Sequence, residues 1–119
     1  MEPEDVLPTT GPKVQILGTS PTCVTLVLAD EDHTLGNALR YVLAKKSAVQ
    51  FCGYSIPHPS EAKMNLRVQT AGGVPALRVV REALVDLMAM AGTMRKTFDA
   101  AVADFDDRRA AEGGMDEGA

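Results

Sequence analysis

The segment EDHTLGNALRYVLAKK, residues 31–46, concentrates side chains that could perform chemistry. His33 follows acidic residues and precedes a threonine, a glycine and an arginine within a dozen positions. A histidine in such company could act as a general base or as a metal ligand. Either role depends on the side chains that the rest of the chain can bring to it.

Catalysis or metal binding by His33 lacks the partners that it would need. A metal site needs about three or four ligands, and the second histidine, His58, stands between two prolines in a turn. The acids of residues 30–32 are adjacent in sequence, which scatters them around a loop. A structural role fits better, in which Asp32 or Thr34 caps a helix and Gly36 permits a close backbone approach.

The two cysteines give no sign of a metal site or a disulfide. Cys23 and Cys52 lie far apart, in segments that resemble strands, with no CxxC pair and no cluster at ligand spacing. We expect buried free thiols and no cofactor. A small thiol or histidine enzyme built on Cys52 and His58 is the enzymatic alternative.

Length and composition predict a small soluble intracellular protein. The chain has 119 residues, of which 45% are hydrophobic, and its apolar runs fall short of the roughly 20 residues of a membrane span. The predicted organisation is a flexible acidic leader at 1–12, one domain at 13–109 and a disordered acidic tail at 110–119. Basic residues are scattered and aromatic content is 4%, so we do not expect direct nucleic-acid binding.

Hydrophobic periodicity predicts four strands and a first helix. Residues 14–17 and 22–29 are rich in β-branched side chains and form a predicted hairpin. A helix follows from 34 to about 46, with its last-turn lysines opposing the helix dipole. Residues 49–56 form the third predicted strand, and residues 63–70 alternate apolar and polar side chains, as a strand with one buried face does.

A long helical pattern then runs from 76 to about 109. Its apolar residues step by three and four: Leu77, Val80, Leu84, Leu87, Ala91, Met94, Phe98, Ala101 and Phe105. We expect part of this stripe to face another chain. Two alternatives stay open, namely a core helix that ends near Gly92, and self-association of a helical adaptor.

Two sequence blocks resemble one known family. HTLGNALR, residues 33–40, resembles the signature of the alpha subunits of cellular RNA polymerases, and FCGYSIPHPSEAKMNLRVQT, residues 51–70, resembles the second signature of the small alpha-like subunits. The resemblance covers residues 24–105 and leaves no room for the inserted domain of the larger alpha-like subunits. Details of both blocks are more similar to the subunit shared by polymerases I and III than to its polymerase II counterpart.

The resemblance implies an α+β fold, with an antiparallel four-stranded sheet and two helices packed on one face, the C-terminal helix being long. It implies a non-catalytic subunit of DNA-directed RNA polymerases I and III, located in the nucleus, including the nucleolus. Its partners would be the larger alpha-like subunit, in a heterodimer, and the two large catalytic subunits that this heterodimer scaffolds for synthesis of rRNA, tRNA and 5S RNA. The implied interface residues are Leu35, Gly36, Asn37, Leu39, Arg40, Val42, Leu77, Val80, Leu84, Leu87 and Ala91.

Overall fold

A computed structural model describes residues 12–113, apart from the side chain of Thr19. Its elements are β1 (Val14–Ser20), β2 (Cys23–Ala29), α1 (His33–Ala44), β3 (Val49–Ser55), β4 (Lys63–Thr70) and α2 (Ala76–Ala111). The chain divides into two compact units, and the boundary between them lies inside α2, between Leu87 and Met88. The predicted leader lies outside the described residues except for Pro12, whereas residues 110–113 of the predicted tail are described. α2 ends at Ala111, two residues beyond the predicted domain bound at 109, so the tail begins in a helix.

The four strands form one antiparallel sheet in the order β1-β2-β4-β3. In the middle of the sheet Leu26 of β2 lies between Ile16 of β1 and Leu66 of β4. The predicted hairpin is therefore confirmed, as is the α+β class with an antiparallel four-stranded sheet and a long C-terminal helix. β1 is longer than predicted, because a register irregularity after Leu17 lets the strand continue to Ser20.

The core lies between the helix-facing side of the sheet and the two helices. Along β4 the side chains of Met64, Leu66, Val68 and Thr70 are buried, while Lys63 and Arg67 are exposed, so the predicted alternation is confirmed. Leu39 and Leu43 of α1 are almost fully buried against them. From α2 the core takes Ala76, Val79, Val80 and Ala83.

The ends of α1 follow from its capping residues. The side chain of Asp32 accepts a hydrogen bond of 3.0 Å from the backbone N–H of Thr34, which satisfies a donor that the first turn leaves free. The helix ends at Ala44, with Lys45 as its C-cap. The prediction that Lys45 and Lys46 close the last turn is therefore wrong. Lys46 instead reaches Asp86 of α2, with 2.6 Å between Nζ and Oδ2.

α2 passes through Gly92 without a break, so the alternative of a helix ending there is wrong. A glycine inside a helix costs about 1 kcal/mol relative to alanine, and the neighbouring alanine, methionine and leucine residues favour the helix enough to offset this. In the unit that begins at Met88, the large apolar side chains of α2 are exposed: Met88, Met90, Met94, Phe98, Val102 and Phe105. No helix in the described part of the chain is both long and apolar enough to span a membrane.

Candidate partner-binding site

An apolar groove of about 330 Å³ opens on the helix-covered side of the first unit. Its floor is formed by core leucines of the sheet, Leu26, Leu28 and Leu66. α1 supplies Leu35 and Leu39, and α2 supplies Leu77, Val80 and Leu84. Leu77 and Leu84 keep 42% and 40% of their surface exposed, which is unusual for leucines that border a core. The apolar core therefore reaches the surface at this groove, where no other described side chain of the first unit covers it.

Three charged side chains border the groove: Lys13, Glu31 and Arg81. Lys13 Nζ lies 2.8 Å from Glu31 Oε2 and also donates to the backbone carbonyl of Ala29. This ion pair links the start of β1 to the loop before α1. The groove therefore has an apolar centre and a charged border, which is the usual composition of a protein interface.

The residues predicted for the interface fall into different environments. Five of them line the groove together: Leu35, Leu39, Leu77, Val80 and Leu84. Gly36, Leu39, Val42 and Val80 are buried in the chain's own core, although Leu39 and Val80 also border the groove. Leu87 is half-buried against the core, and Ala91 is exposed in the unit that begins at Met88.

The two polar residues of the predicted set pair with each other on the outer side of α1. Arg40 Nη2 donates to Asn37 Oδ1 over 3.1 Å, and both side chains are exposed. Neither residue lines the groove. The pair therefore presents a polar surface on α1, away from the groove.

Gly36 allows α1 to lie directly on the sheet. A Cβ atom at this position would stand 2.6 Å from Met64 Sδ and 2.6 Å from Tyr54 Cδ2. The Tyr54 ring is held by His33, because its hydroxyl lies 2.9 Å from His33 Nδ1 and the two rings meet edge to face at 5.5 Å. His33, a candidate base or metal ligand by its sequence, thus helps to fix the packing of α1 on β3.

Both cysteines are free thiols and half-buried, so they are less buried than the sequence predicted. Burial raises the pKa of the Cys52 thiol, and the nearby positive charge of Arg40 partly opposes that rise. Cys52 Sγ also lies 3.7 Å from the backbone carbonyl of Arg40, as a weak donor. Within residues 12–113, no group of three or more histidine, cysteine or acidic side chains could hold a metal ion.

Sequence reasoning missed the wall of the groove that β1 provides. Val14 lines the groove, and Val14 and Ile16 keep 48% and 53% of their surface exposed. The alternation of Val14, Gln15 and Ile16 carries a signal for a strand with one apolar face. It does not tell which side of the sheet that strand borders.

An open apolar groove with a charged border is typical of a domain that pairs with another chain. Residues 23–97 match the model of the RNA polymerase Rpb3/Rpb11 dimerisation domain. The chain belongs to this family. Its fold is also that of DNA-directed RNA polymerase subunit L from Thermoplasma acidophilum, with a TM-score of 0.67 at 17% identity, over 79% of this chain and 92% of that one.

Relatives with high identity are named as subunits of RNA polymerases I and III. The chain is 48% identical over 91 residues to the DNA-directed RNA polymerases I and III subunit RPAC2 of Danio rerio, covering 76% of this chain and 81% of the relative. It is 54% identical over 77 residues to the subunit of the same name from Schizosaccharomyces pombe, covering 65% and 62%. The probable polymerase II subunit RPB11 of Caenorhabditis elegans is 37% identical over 82 residues, covering 69% and 67%. The resemblance to the small alpha-like subunits of polymerases I and III is thereby confirmed.

Proposed function

We propose that this chain is the small alpha-like assembly subunit of RNA polymerases I and III. It forms a heterodimer with the larger alpha-like subunit, and the heterodimer scaffolds the two large catalytic subunits for synthesis of rRNA, tRNA and 5S RNA. The observation that carries the proposal is the open apolar groove in a domain of the dimerisation family. The names of the relatives favour polymerases I and III over polymerase II.

The partner's contribution to the heterodimer is an apolar helix that fills the groove. Leu77 and Leu84 are seven residues apart in α2, so they lie on one side of the helix about two turns from each other. A partner helix that crosses α2 covers both leucines and reaches Leu35 at the other wall. Each leucine that becomes fully covered contributes up to about 1 kcal/mol, since these side chains are already more than half buried.

The subunit has no catalytic role in this proposal. The side chains that suggested chemistry have structural contacts: His33 with Tyr54, and Asp32 with the first turn of α1. Cys52 is half-buried, and its raised pKa keeps it protonated and therefore poorly nucleophilic. Nucleotide addition is assigned to the large subunits. The location that follows is the nucleus, including the nucleolus, where rRNA is made.

The proposal is tested by recovering the partners from the source cells. The chain is tagged at its carboxyl end and purified at moderate salt, and the polypeptides that accompany it are identified by mass spectrometry. We expect the larger alpha-like subunit and the large subunits of both polymerases I and III. Recovery of the polymerase II large subunits alone would assign the chain to polymerase II instead of polymerases I and III. Recovery of a homodimer without any polymerase subunit would favour the self-associating adaptor and overturn the proposal.

A further inference from the structure

β1 is an edge of the sheet, and the outer side of this strand has no paired strand among the described residues. Its pairing with β2 shows which backbone groups point outward. The backbone N–H of Ala29 donates to the carbonyl of Lys13 over 2.9 Å, so these two residues form a hydrogen-bonded pair. In an antiparallel ladder such pairs alternate with pairs whose N–H and C=O groups point away from each other.

The alternation assigns the outward groups of β1 to Val14 and Ile16. Val14 lies opposite Leu28 and Ile16 opposite Leu26, which are the positions between the hydrogen-bonded pairs. The N–H and C=O groups of both residues therefore point away from β2. Gln15 and Leu17 have the opposite orientation and are bonded to β2. The edge thus offers two donors and two acceptors at the spacing that another strand requires.

The side chains of this edge are apolar on the groove side of the sheet and mixed on the other side, where the polar Gln15 precedes Leu17 by two residues. Val14 and Ile16 keep 48% and 53% of their surface exposed on the groove side, and Leu17 keeps 46% exposed on the other side. Proteins usually protect an edge with charges, prolines or irregularities in its middle. Here Pro12 and Lys13 precede the strand and the irregularity follows Leu17, so the central part is left unprotected.

The edge is continuous with the groove, because Lys13 and Val14 line the groove as well. We propose that β1 pairs with an extended segment of the polypeptide that fills the groove, which adds a fifth strand to the sheet. This inference rests on the proposed heterodimer. The segment has apolar side chains at alternate positions facing the groove side, where they pack beside Val14 and Ile16. Its backbone bonds the outward groups of those two residues.

Hydrogen exchange of single amides tests the pairing directly. The chain is labelled with ¹⁵N, and exchange is followed by NMR in the free chain and in its complex with the larger alpha-like subunit. In the free chain we expect fast exchange at Val14 and Ile16 and slower exchange at Gln15 and Leu17, which are bonded to β2. In the complex the Val14 and Ile16 amides slow by about 100-fold or more, because new hydrogen bonds protect them.

Two substitutions at Ile16 separate backbone pairing from side-chain packing. Ile16→Pro removes an outward N–H and leaves the ladder with β2 intact, since proline is tolerated where the N–H faces outward. Ile16→Thr keeps the N–H and the β-branched shape. We expect Ile16→Pro to weaken the complex about tenfold more than Ile16→Thr does, as measured by calorimetry.

The outcomes distinguish this inference from the heterodimer itself. If the complex forms but the Val14 and Ile16 amides exchange as fast as in the free chain, the added strand is wrong and the heterodimer stands. If both amides are already protected in the free chain, residues 1–11 or a second copy covers the edge, and the inference is wrong. If no complex forms with the larger subunit, the proposed function fails and this inference falls with it.

Discussion

Gly36→Ala is expected to destabilise the protein although alanine favours helices. The added Cβ atom would lie 2.6 Å from Met64 Sδ and from Tyr54 Cδ2, closer than nonbonded atoms can approach. Met64 is fully buried, and the Tyr54 ring is held through its hydroxyl by His33. Neither neighbour can move without disturbing other contacts, so α1 must shift away from the sheet.

The size of the effect follows from three contributions. Inserting a methyl group into a packed site costs about 1–3 kcal/mol. Weakening the hydrogen bond between His33 and Tyr54 costs about 1 kcal/mol. Replacing glycine by alanine in a helix stabilises the helix by about 1 kcal/mol, which offsets part of this cost. We therefore expect the free energy of unfolding to fall by about 1–3 kcal/mol.

Gly92→Ala is the matched control, because Gly92 is also inside a helix but has no atom within 4 Å of the added Cβ. This variant should keep or raise stability, by up to about 1 kcal/mol. Both variants are measured by urea unfolding, followed by far-UV circular dichroism. If Gly36→Ala were as stable as Gly92→Ala, the close approach of α1 to the sheet would be wrong.

Four further changes test the site and the core. Leu84→Asp should weaken heterodimer formation about 30-fold or more in a pull-down titration, whereas Val85→Asp, outside the groove, should leave it nearly unchanged. Leu39→Ala should cost about 2–5 kcal/mol of stability in urea unfolding, because its side chain is buried. The raised pKa of Cys52 stabilises the fold below the ordinary thiol pKa, and this contribution is lost as pH rises through the raised value. Alkylation of Cys52 should accordingly need a higher pH in the folded chain than in urea. Asp32→Ala should cost about 1 kcal/mol by loss of the α1 cap.

Each of these expectations has an opposite result that would refute it. Equal binding by the Leu84 and Val85 variants would remove the groove as the partner site. A Leu39→Ala variant with native stability would contradict the assignment of that residue to the core. Cysteine alkylation with the same pH profile in the folded and unfolded chains would contradict the burial of Cys52. An unchanged α1 stability in Asp32→Ala would show that the hydrogen bond to Thr34 contributes nothing.

Local patterns predicted those parts of the fold that depend on neighbours in sequence. The alternation along β4 predicted its buried face, and the polar residues before the apolar helix predicted a cap by Asp32 or Thr34, of which Asp32 is the N-cap. The end of α1 was less predictable, since Lys46 leaves the helix to pair with Asp86, forty residues away. The contact between His33 and Tyr54 could not be predicted for the same reason, because it joins residues 21 positions apart.

The predicted interface shows where periodicity stops being informative. The apolar residues of α2 and of α1 recur at three and four residue steps throughout. Some of them are buried in the chain's own core, and others remain exposed beside it. Val80 and Leu39 are buried and mainly complete the chain's own core, whereas Leu77 and Leu84 remain exposed beside them. A period of three and four residues identifies the face of a helix. It cannot identify which turns of that face meet the chain's own sheet.

The groove results from this division within α2. A core helix on a four-stranded sheet covers the strands directly below it, and β1 at the edge of the sheet is left with Val14 and Ile16 exposed. The apolar side chains of α1, α2 and β1 then border one opening that none of them fills. A monomer would close such an opening with its own side chains. We therefore expect the folded free chain to aggregate at lower concentrations than its heterodimer does, and light scattering over a concentration series of both samples checks this. If both samples scattered alike at every concentration, the groove would need no partner.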